Sequence, residues 1–218
     1  MRWLIKRCLC GATLALASSL ASAAAPALPA PIELPAPHTS GGKPLMQALN
    51  ERRTARAFRP DALPRQTLSN LLWAAFGVNR PASGGRTAPS AHDAQDIDVY
   101  VVLPTATYLY QAKENTLAPV RAGDLRALTG RQDFVRDAPV SLVYVADFSR
   151  FPRDSEQAKI FYSAADAGHI SQNVYLFAAS EGLAAMVRAD IDKPALARAL
   201  GLQPDQHVVL AQSVGYPK

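Results

Sequence analysis

Three arginines and a threonine stand close together in the stretch Glu51–Phe58, which reads ERRTARAF. They are Arg52, Arg53, Thr54 and Arg56. Guanidinium groups stay charged at any working pH and bind phosphate oxygens in a bidentate manner, and a hydroxyl can donate to the same anion. The stretch therefore has the composition of a phosphate site. A solvated basic loop has the same composition, and from this stretch alone it is the more common structure.

A second polar cluster lies in Arg86–Gln95, which reads RTAPSAHDAQ and precedes a predicted strand. It offers a hydroxyl, small side chains and backbone donors, together with polar groups that can bond a planar ring. Its candidate contacts are Pro89, Ser90, Ala91, His92 and Asp93.

A third cluster, Gly182–Asp192, reads GLAAMVRADID and follows a predicted long helix. Its small residues would let a ligand ring lie against the backbone, so we interpret it as a loop that faces a ligand. For the second and third clusters alike, an ordinary polar turn is the alternative.

The first 23 residues have the pattern of a secretory signal peptide. Three positive residues precede the apolar run Leu9–Leu20, and the small residues Ala21-Ser22-Ala23 fit a signal-peptidase site. The apolar run is short for a bilayer span, which favours a cleaved signal over an uncleaved anchor. The sequence thus predicts a periplasmic or secreted protein without a stable membrane anchor.

Removal of that signal changes what the composition implies. The whole chain has a net charge of +5, but the signal holds three positive charges and no acid, so the processed chain carries +2. This charge gives little support for a nucleic-acid partner. Both cysteines, Cys8 and Cys10, also lie in the signal, which excludes disulfides, thiolate metal sites and cysteine nucleophiles. No pair of histidines has metal-ligand spacing.

The processed chain is expected to consist of an arm and one domain. Ala24–Gly42 is rich in proline and alanine, so it is predicted to be an extended tether or arm, or to be disordered. Residues 43–218 are long enough to bury a single core. Hairpin-like strands mixed with helices place this domain in the α+β class.

Two helices dominate the predicted domain. Pro64–Phe76 carries an apolar stripe and is expected to end at Gly77 in a left-handed cap. Ser155–Glu181 mixes small with large apolar residues, which places it in the core or in a dimer interface. Shorter helices are predicted at Pro44–Asn50, Asp124–Thr129, Gln132–Arg136 and Pro194–Leu200, strands at Ile97–Leu103, Thr107–Gln111, Leu117–Val120, Val140–Val145 and Val208–Val214, and a loop at Asn79–Ser90.

Polar residues on the long helix have two interpretations each. Tyr162, Gln172 and Asn173 either reach a ligand or bond at a helix interface. Asp166 precedes His169 by three residues, so the two either pair or remain solvated.

The order of these motifs resembles the nitroreductase-like flavoprotein family. RRTARAF is followed by a helix, by APSA before the strand IDVYVV, by a long helix with AGHISQNVYLFAASEGL, and by the terminal VGYP. The similarity covers about Leu45 to Lys218 and looks closest to the azoline-oxidising dehydrogenases of peptide-modification pathways. It implies a homodimer with a central mixed or antiparallel sheet, a long central helix, and FMN bound at the subunit interface by both chains.

The same resemblance implies a role for each cluster. Residues implied for the FMN phosphate and ribityl chain are Arg52, Arg53, Thr54 and Arg56. Residues implied beside the isoalloxazine are Pro89, Ser90, Ala91 and the polar Asp93, which a base such as Arg86 would neutralise. Backbone amides implied for flavin N5 and O4 are those of Arg188, Ala189 and Asp190, and His92 is implied to touch the substrate.

Together these expectations describe an FMN-dependent oxidoreductase that passes two electrons through flavin N5 in a ping-pong cycle. NAD(P)H is the donor that the family implies. Direct oxidation of a small-molecule substrate, with another acceptor, is the alternative, because an exported enzyme does not meet the cytosolic nicotinamide pool. The rival interpretation is a non-catalytic flavin-fold module with a binding or structural role.

Overall fold

A computed structural model describes residues 27–218 of the chain. The predicted signal peptide and the start of the predicted arm lie outside the described residues. The α-helices are α1 (Leu45–Glu51), α2 (Arg65–Phe76), α3 (Glu156–Glu181) and α4 (Lys193–Leu200). The strands are β1 (Ile32–Glu33), β2 (Val78–Arg80), β3 (Gly85–Arg86), β4 (Ile97–Val102), β5 (Ala106–Gln111), β6 (Thr116–Ala122), β7 (Val140–Asp147), β8 (Ala184–Arg188) and β9 (Gln206–Gly215).

Seven of these strands form one antiparallel sheet in the order β1-β6-β5-β4-β7-β9-β8. Strand β7 lies between β4 and β9, and all of its residues except Asp147 are buried. Its continuous apolar run, VSLVYV, predicted this central position because both faces of such a strand are covered. The α+β class is confirmed, and the sheet is antiparallel.

The sheet is covered on both faces. Helices α2 and α3 pack on one face over the larger core, which includes Leu72, Leu142 and Ile170. Helix α4 packs on the other face over a smaller core that includes Val143 and Leu196. None of the helices within residues 27–218 is long and apolar enough to cross a bilayer.

The ends of the helices follow local chemistry. The Ser155 side chain accepts the Ala158 amide at the start of α3, and Gly182 ends this helix in a left-handed conformation (φ 70°). The predicted left-handed cap at Gly77 is wrong, because Gly77 is extended (φ −72°). A glycine is needed there for a different reason: a Cβ would lie 2.5 Å from Cδ1 of Trp73.

Two segments without predicted regular structure contain short strands. Strands β2 and β3 form a separate two-stranded ribbon inside the predicted loop Asn79–Ser90. In the predicted arm, β1 pairs with β6 at the sheet edge, and the Ser69, Gln66 and Asn115 side chains donate to backbone carbonyls of the arm. Because β1 adds a strand to the sheet, this part of the arm is not a free tether.

Candidate functional site

The first cluster is fixed between the sheet edge and the C-terminus. After α1 ends, the Ala55 amide donates to the Ala185 carbonyl at 3.0 Å. Phe58 is only 1% exposed and forms a β-bridge with Pro217. These contacts hold the chain between them, which carries the arginines, along the edge of β8.

The arginines of this cluster present uncompensated charge. Arg53 and Arg56 are exposed and Arg52 is half-buried, with its guanidinium carbon 5.3 Å from the Tyr175 ring centroid. Across residues 27–218, no carboxylate lies within 4.0 Å of a guanidinium nitrogen of these three arginines. A cluster of unpaired guanidinium forks beside a hydroxyl suits an oxyanion such as phosphate.

Tyr175 connects the first cluster to the third. Its hydroxyl accepts the Val187 amide at 3.0 Å and lies 3.1 Å from Thr54 Oγ1. Sequence reasoning missed this residue. The available signal was its place on the buried face of α3, where a tyrosine hydroxyl usually finds a hydrogen-bond partner.

The third cluster is mostly strand, so its prediction as a loop is wrong. Residues 184–188 form β8, the sheet edge, and pair with β9. Ala189 and Asp190 follow the strand and are exposed. The Asp190 carboxylate accepts from Gln132 Nε2 at 3.0 Å and lies 3.7 Å from Arg131 Nε. The backbone around residue 189 therefore borders solvent, next to the end of an ordered strand.

The Arg188 side chain turns into the protein instead of towards that surface. It is 4% exposed, and its guanidinium donates to the Thr129 carbonyl at 2.7 Å, to Thr129 Oγ1 at 2.6 Å and to Ser213 Oγ at 2.9 Å. Burial lowers the pKa of Arg188 to about 10. Any contact that Arg188 makes at the surface must come from its backbone.

The second cluster forms a strained turn before β4. His92, Asp93 and Gln95 have φ values of 55°, 54° and 48°, in the left-handed region that non-glycine residues rarely adopt. The Ala91 amide donates to Asp166 Oδ2 at 2.9 Å, which ties the turn to α3. Because this conformation costs free energy, the surrounding contacts must hold it in place.

The side chains of this turn are arranged differently from the expectation. Arg86 does not neutralise Asp93, since its Nε donates to Gln95 Oε1 at 2.8 Å. Pro89, His92 and Asp93 are exposed, while Ser90 and Ala91 are half-buried. The His92 ring packs edge-on against Tyr162 with centroids 5.3 Å apart, and its Nε2 lies 4.0 Å from Asp154 Oδ1. His92 is thus oriented by its neighbours but open to a ligand.

Two buried carboxyl groups lie beneath the second cluster. Asp96 is fully buried, and its Oδ2 accepts from Ser163 Oγ at 2.7 Å. Burial, together with the adjacent Asp166 carboxyl, raises the pKa of Asp96 to about 6. The predicted pair of Asp166 with His169 is loose at 3.8 Å, and the stronger partner of Asp166 is the Ala91 amide.

The remaining polar candidates on α3 divide between packing and solvent. The Asn173 amide nitrogen lies 3.5 Å from the Ala75 carbonyl and 3.4 Å from the Thr87 carbonyl, so it bonds at a helix interface. Gln172 is exposed.

Within one chain, the three clusters do not meet at a single point. The first and third join at Tyr175, in the C-terminal half of α3, whereas the second contacts Tyr162 and Asp166 in its N-terminal half. Asp166 and Tyr175 are nine residues apart on this helix, which corresponds to about 13 Å along its axis. A ligand that touches all three clusters needs more than one chain.

Comparison with known proteins places these features in a family. The sequence model of the nitroreductase family matches residues 49–216. The chain is 30% identical over 149 residues to a protein of Methanocaldococcus jannaschii named "Putative nitroreductase MJ1384", covering 64% of this chain and 75% of that protein.

Solved structures show the same fold. The crystal structure of a protein from Ralstonia eutropha JMP134, titled a "putative nitroreductase", superposes with a TM-score of 0.83 at 44% identity, over 86% of this chain and 90% of that one. Another so titled, from Desulfovibrio desulfuricans in complex with FMN, superposes with a TM-score of 0.58 at 22% identity, over 81% and 88% of the two chains.

Proposed function

The chain belongs to the nitroreductase family, and we propose that it is an exported FMN-dependent oxidoreductase that works as a homodimer on a small-molecule substrate. The observation that carries this proposal is the junction of the first and third clusters at Tyr175, beside three arginines that no carboxylate neutralises within residues 27–218. FMN would supply two-electron chemistry at N5, and the protein would supply binding, orientation and electrostatics.

The first cluster fits the phosphate end of FMN. A cavity of about 260 Å³ lies against it and is lined by Arg53, Ala55, Tyr175 and Pro217, among others. Arg52, Arg53 and Arg56 offer forked donors for a phosphate, and the exposed Thr54 stands between them. The exposed backbone at Ala189 and Asp190 would hold the N5 and O4 edge of the ring.

A second copy of the chain would bring the remaining cluster to this site. In an antiparallel, two-fold packing of α3 against its equivalent, the N-terminal half of one helix lies beside the C-terminal half of the other. The second copy's Pro89, Ser90, Ala91 and Asp93 would then lie near Tyr175 of the first chain. The midpoint between the two contact regions falls close to Gly168, which is exposed and has no heavy atom within 4 Å of its Cβ position.

Exposed apolar side chains at both ends of α3 support such a dimer. Ile160 and Phe161 near its start are 54% and 70% exposed. Near its other end, α1 exposes Leu45, Met46 and Leu49. The two-fold arrangement would place the first group of one copy against the second group of the other, and would bury both.

His92 would then face the substrate, because it is exposed beside the second cluster and held by Tyr162 and Asp154. NAD(P)H is one electron donor to test. If the protein functions outside the cytosol, a donor other than nicotinamide, or direct oxidation of a substrate as in azoline dehydrogenases, is the alternative electron route. Anaerobic titration of the flavin with candidate donors separates these routes.

Purified protein tests the cofactor directly. We expect it to be yellow with oxidised-flavin absorption, or to take up added FMN. Arg52→Ala should weaken FMN binding at least tenfold, because a phosphate contact by a charged hydrogen bond contributes about 1.5–3 kcal/mol. Arg198→Ala is the control, since Arg198 is exposed on α4; Arg150 is unsuitable because it binds Asp98 and the Gln95 carbonyl.

Two outcomes would contradict the proposal. Equal FMN affinity of the Arg52 and Arg198 variants would remove the phosphate role of the first cluster. Colourless protein that does not take up FMN would favour the rival, a non-catalytic flavin-fold module.

The dimer is tested by mass measurement in solution. Gly168→Arg introduces a large charged side chain at the proposed crossing of the two α3 helices, and we expect a monomer that has lost FMN affinity. Arg198→Glu serves as a charge-changing control that remains dimeric. A wild-type monomer that still binds FMN tightly would overturn the two-chain site.

A further inference from the structure

Arg188 forms a buried cationic centre behind β8. Its Nε and Nη2 donate to the carbonyl and hydroxyl oxygens of Thr129, and its Nη1 donates to Ser213 Oγ. Longer contacts join it to Ser141 Oγ and the Met186 carbonyl, each at 3.4 Å. All the acceptors are neutral oxygens, and they come from both ends of the sheet segment around β7, β8 and β9.

The charge of this centre has no counter-ion nearby. Throughout residues 27–218, no carboxylate oxygen lies within 4.0 Å of the Arg188 guanidinium. Its pKa, lowered by burial to about 10, still leaves the group charged at neutral pH. A buried ion is normally paired with an opposite charge, so a satisfied but unpaired cation calls for a functional explanation.

The cation lies directly behind the candidate site. Adjacent side chains on a strand point to opposite faces, and the Val187 amide bonds Tyr175, which contacts the first cluster. The guanidinium also contacts the backbone at Met186, and the exposed residues Ala189 and Asp190 follow Arg188 directly. Only the backbone of β8 and of the residues after it separates the charge from a ligand in front.

We propose that the buried Arg188 guanidinium raises the reduction potential of FMN bound in front of the end of β8, and so favours the acceptance of electrons from the donor. This inference depends on the proposed function. Two-electron reduction with uptake of one proton adds one negative charge to the bound isoalloxazine. A fixed positive charge in a poorly screened interior stabilises that added charge, and it stabilises the neutral oxidised ring much less.

Two variants of Thr129 separate charge from shape. Thr129→Asp places a carboxylate against the guanidinium and neutralises the centre, whereas Thr129→Asn has the same shape without the charge. The wild-type and variant dimers, loaded with FMN, are titrated reductively against a redox dye, and the affinity for oxidised FMN is measured separately. Thr129→Asp should reduce the preference for reduced over oxidised FMN at least tenfold, which equals about 30 mV for a two-electron couple. Thr129→Asn should stay within threefold of the wild type.

Arg188→Lys and Arg188→Met give a second, independent pair. The lysine variant keeps the positive charge and should keep most of the potential, while the methionine variant should shift it in the same direction as Thr129→Asp. Whichever pair folds decides the question. Equal potentials within a pair would overturn the inference and leave a purely structural arginine.

The outcomes also distinguish this inference from the proposed function. Wild-type protein that binds no FMN would overturn both. Wild-type protein that binds FMN, together with variants that bind oxidised FMN equally well at an unchanged potential, would overturn only the role of Arg188.

Discussion

A buried ionisable centre supports each part of the candidate site, and the two centres are satisfied to different degrees. Behind the first and third clusters, the Arg188 guanidinium donates to neutral oxygens at 2.6–2.9 Å. Beneath the second cluster, Asp96 Oδ2 accepts from Ser163, but Asp96 Oδ1 is buried without a hydrogen-bond partner in the described part of the chain. The neighbouring Asp166 adds a second carboxyl group to this acidic centre.

The difference lies in what each charge can use as a partner. A guanidinium carries five donors, and ordinary hydroxyl and carbonyl oxygens can satisfy them at any pH near neutrality. Two adjacent carboxyl groups have only acceptors when both are ionised, so one of them must keep a proton to make a good contact. The first and third clusters are therefore held regardless of pH, whereas the support of the strained second cluster depends on a proton.

Asp96→Asn is the largest test of this contrast. The folded-state pKa of about 6 lies above the ordinary value of 3.8, so the folded protein holds this proton more tightly than the unfolded chain. Its stabilisation is complete below about pH 4 and is lost as the pH rises through 6. The shift corresponds to about 3 kcal/mol. We expect the free energy of unfolding of the variant to exceed that of the wild type by this amount at pH 8, and to equal it near pH 4.

The measurement is chemical denaturation across that pH range. Asp205→Asn is the matched control, because Asp205 is exposed and its substitution should leave the difference flat. A flat difference for Asp96→Asn as well would show that Asp96 ionises like a surface carboxyl, and the contrast with Arg188 would fail.

The fold was largely predictable because its main signals are local. The apolar run of β7, the cap Ser155 and the terminating Gly182 are each read from a few adjacent residues, and all three predictions agree with the structure. Strand β1 was not predictable in this way. It is two residues long in a proline-rich segment, and it exists because β6, some 85 residues later, offers an edge to pair with.

The same distinction applies to the candidate site. The clustering of Arg52, Arg53 and Arg56 is visible in the sequence, whereas the bridge through Tyr175 requires residues more than 100 positions apart to meet. The third cluster was misassigned as a loop because an arginine near its end looked solvated. Its acceptors, Thr129 and Ser213, are distant in sequence, so nothing local indicated that Arg188 would be buried in a strand.

Asp166→Ala tests how far the acidic centre holds the second cluster. It removes the acceptor of the Ala91 amide, and an unmet hydrogen bond of this kind costs about 2 kcal/mol. We expect hydrogen exchange at Ala91 to accelerate at least tenfold, while the Val187 amide keeps its protection. His169→Ala is the control, since its contact with Asp166 is only 3.8 Å and half-exposed. Equal acceleration at Val187 would mean that the two regions open as one unit.

Tyr175→Phe is the smaller, reciprocal test, on the region with pH-independent support. It deletes the hydroxyl that accepts the Val187 amide and contacts Thr54, at a cost of about 1 kcal/mol for a net hydrogen bond. Exchange at Val187 should accelerate several-fold and FMN binding should weaken by a similar factor, with no change at Ala91. Tyr162→Phe is the control, because its ring, not its hydroxyl, packs against His92. If Tyr175→Phe loosened Ala91 instead, α3 would transmit changes between its two halves, and the separation of the two centres along this helix would not hold.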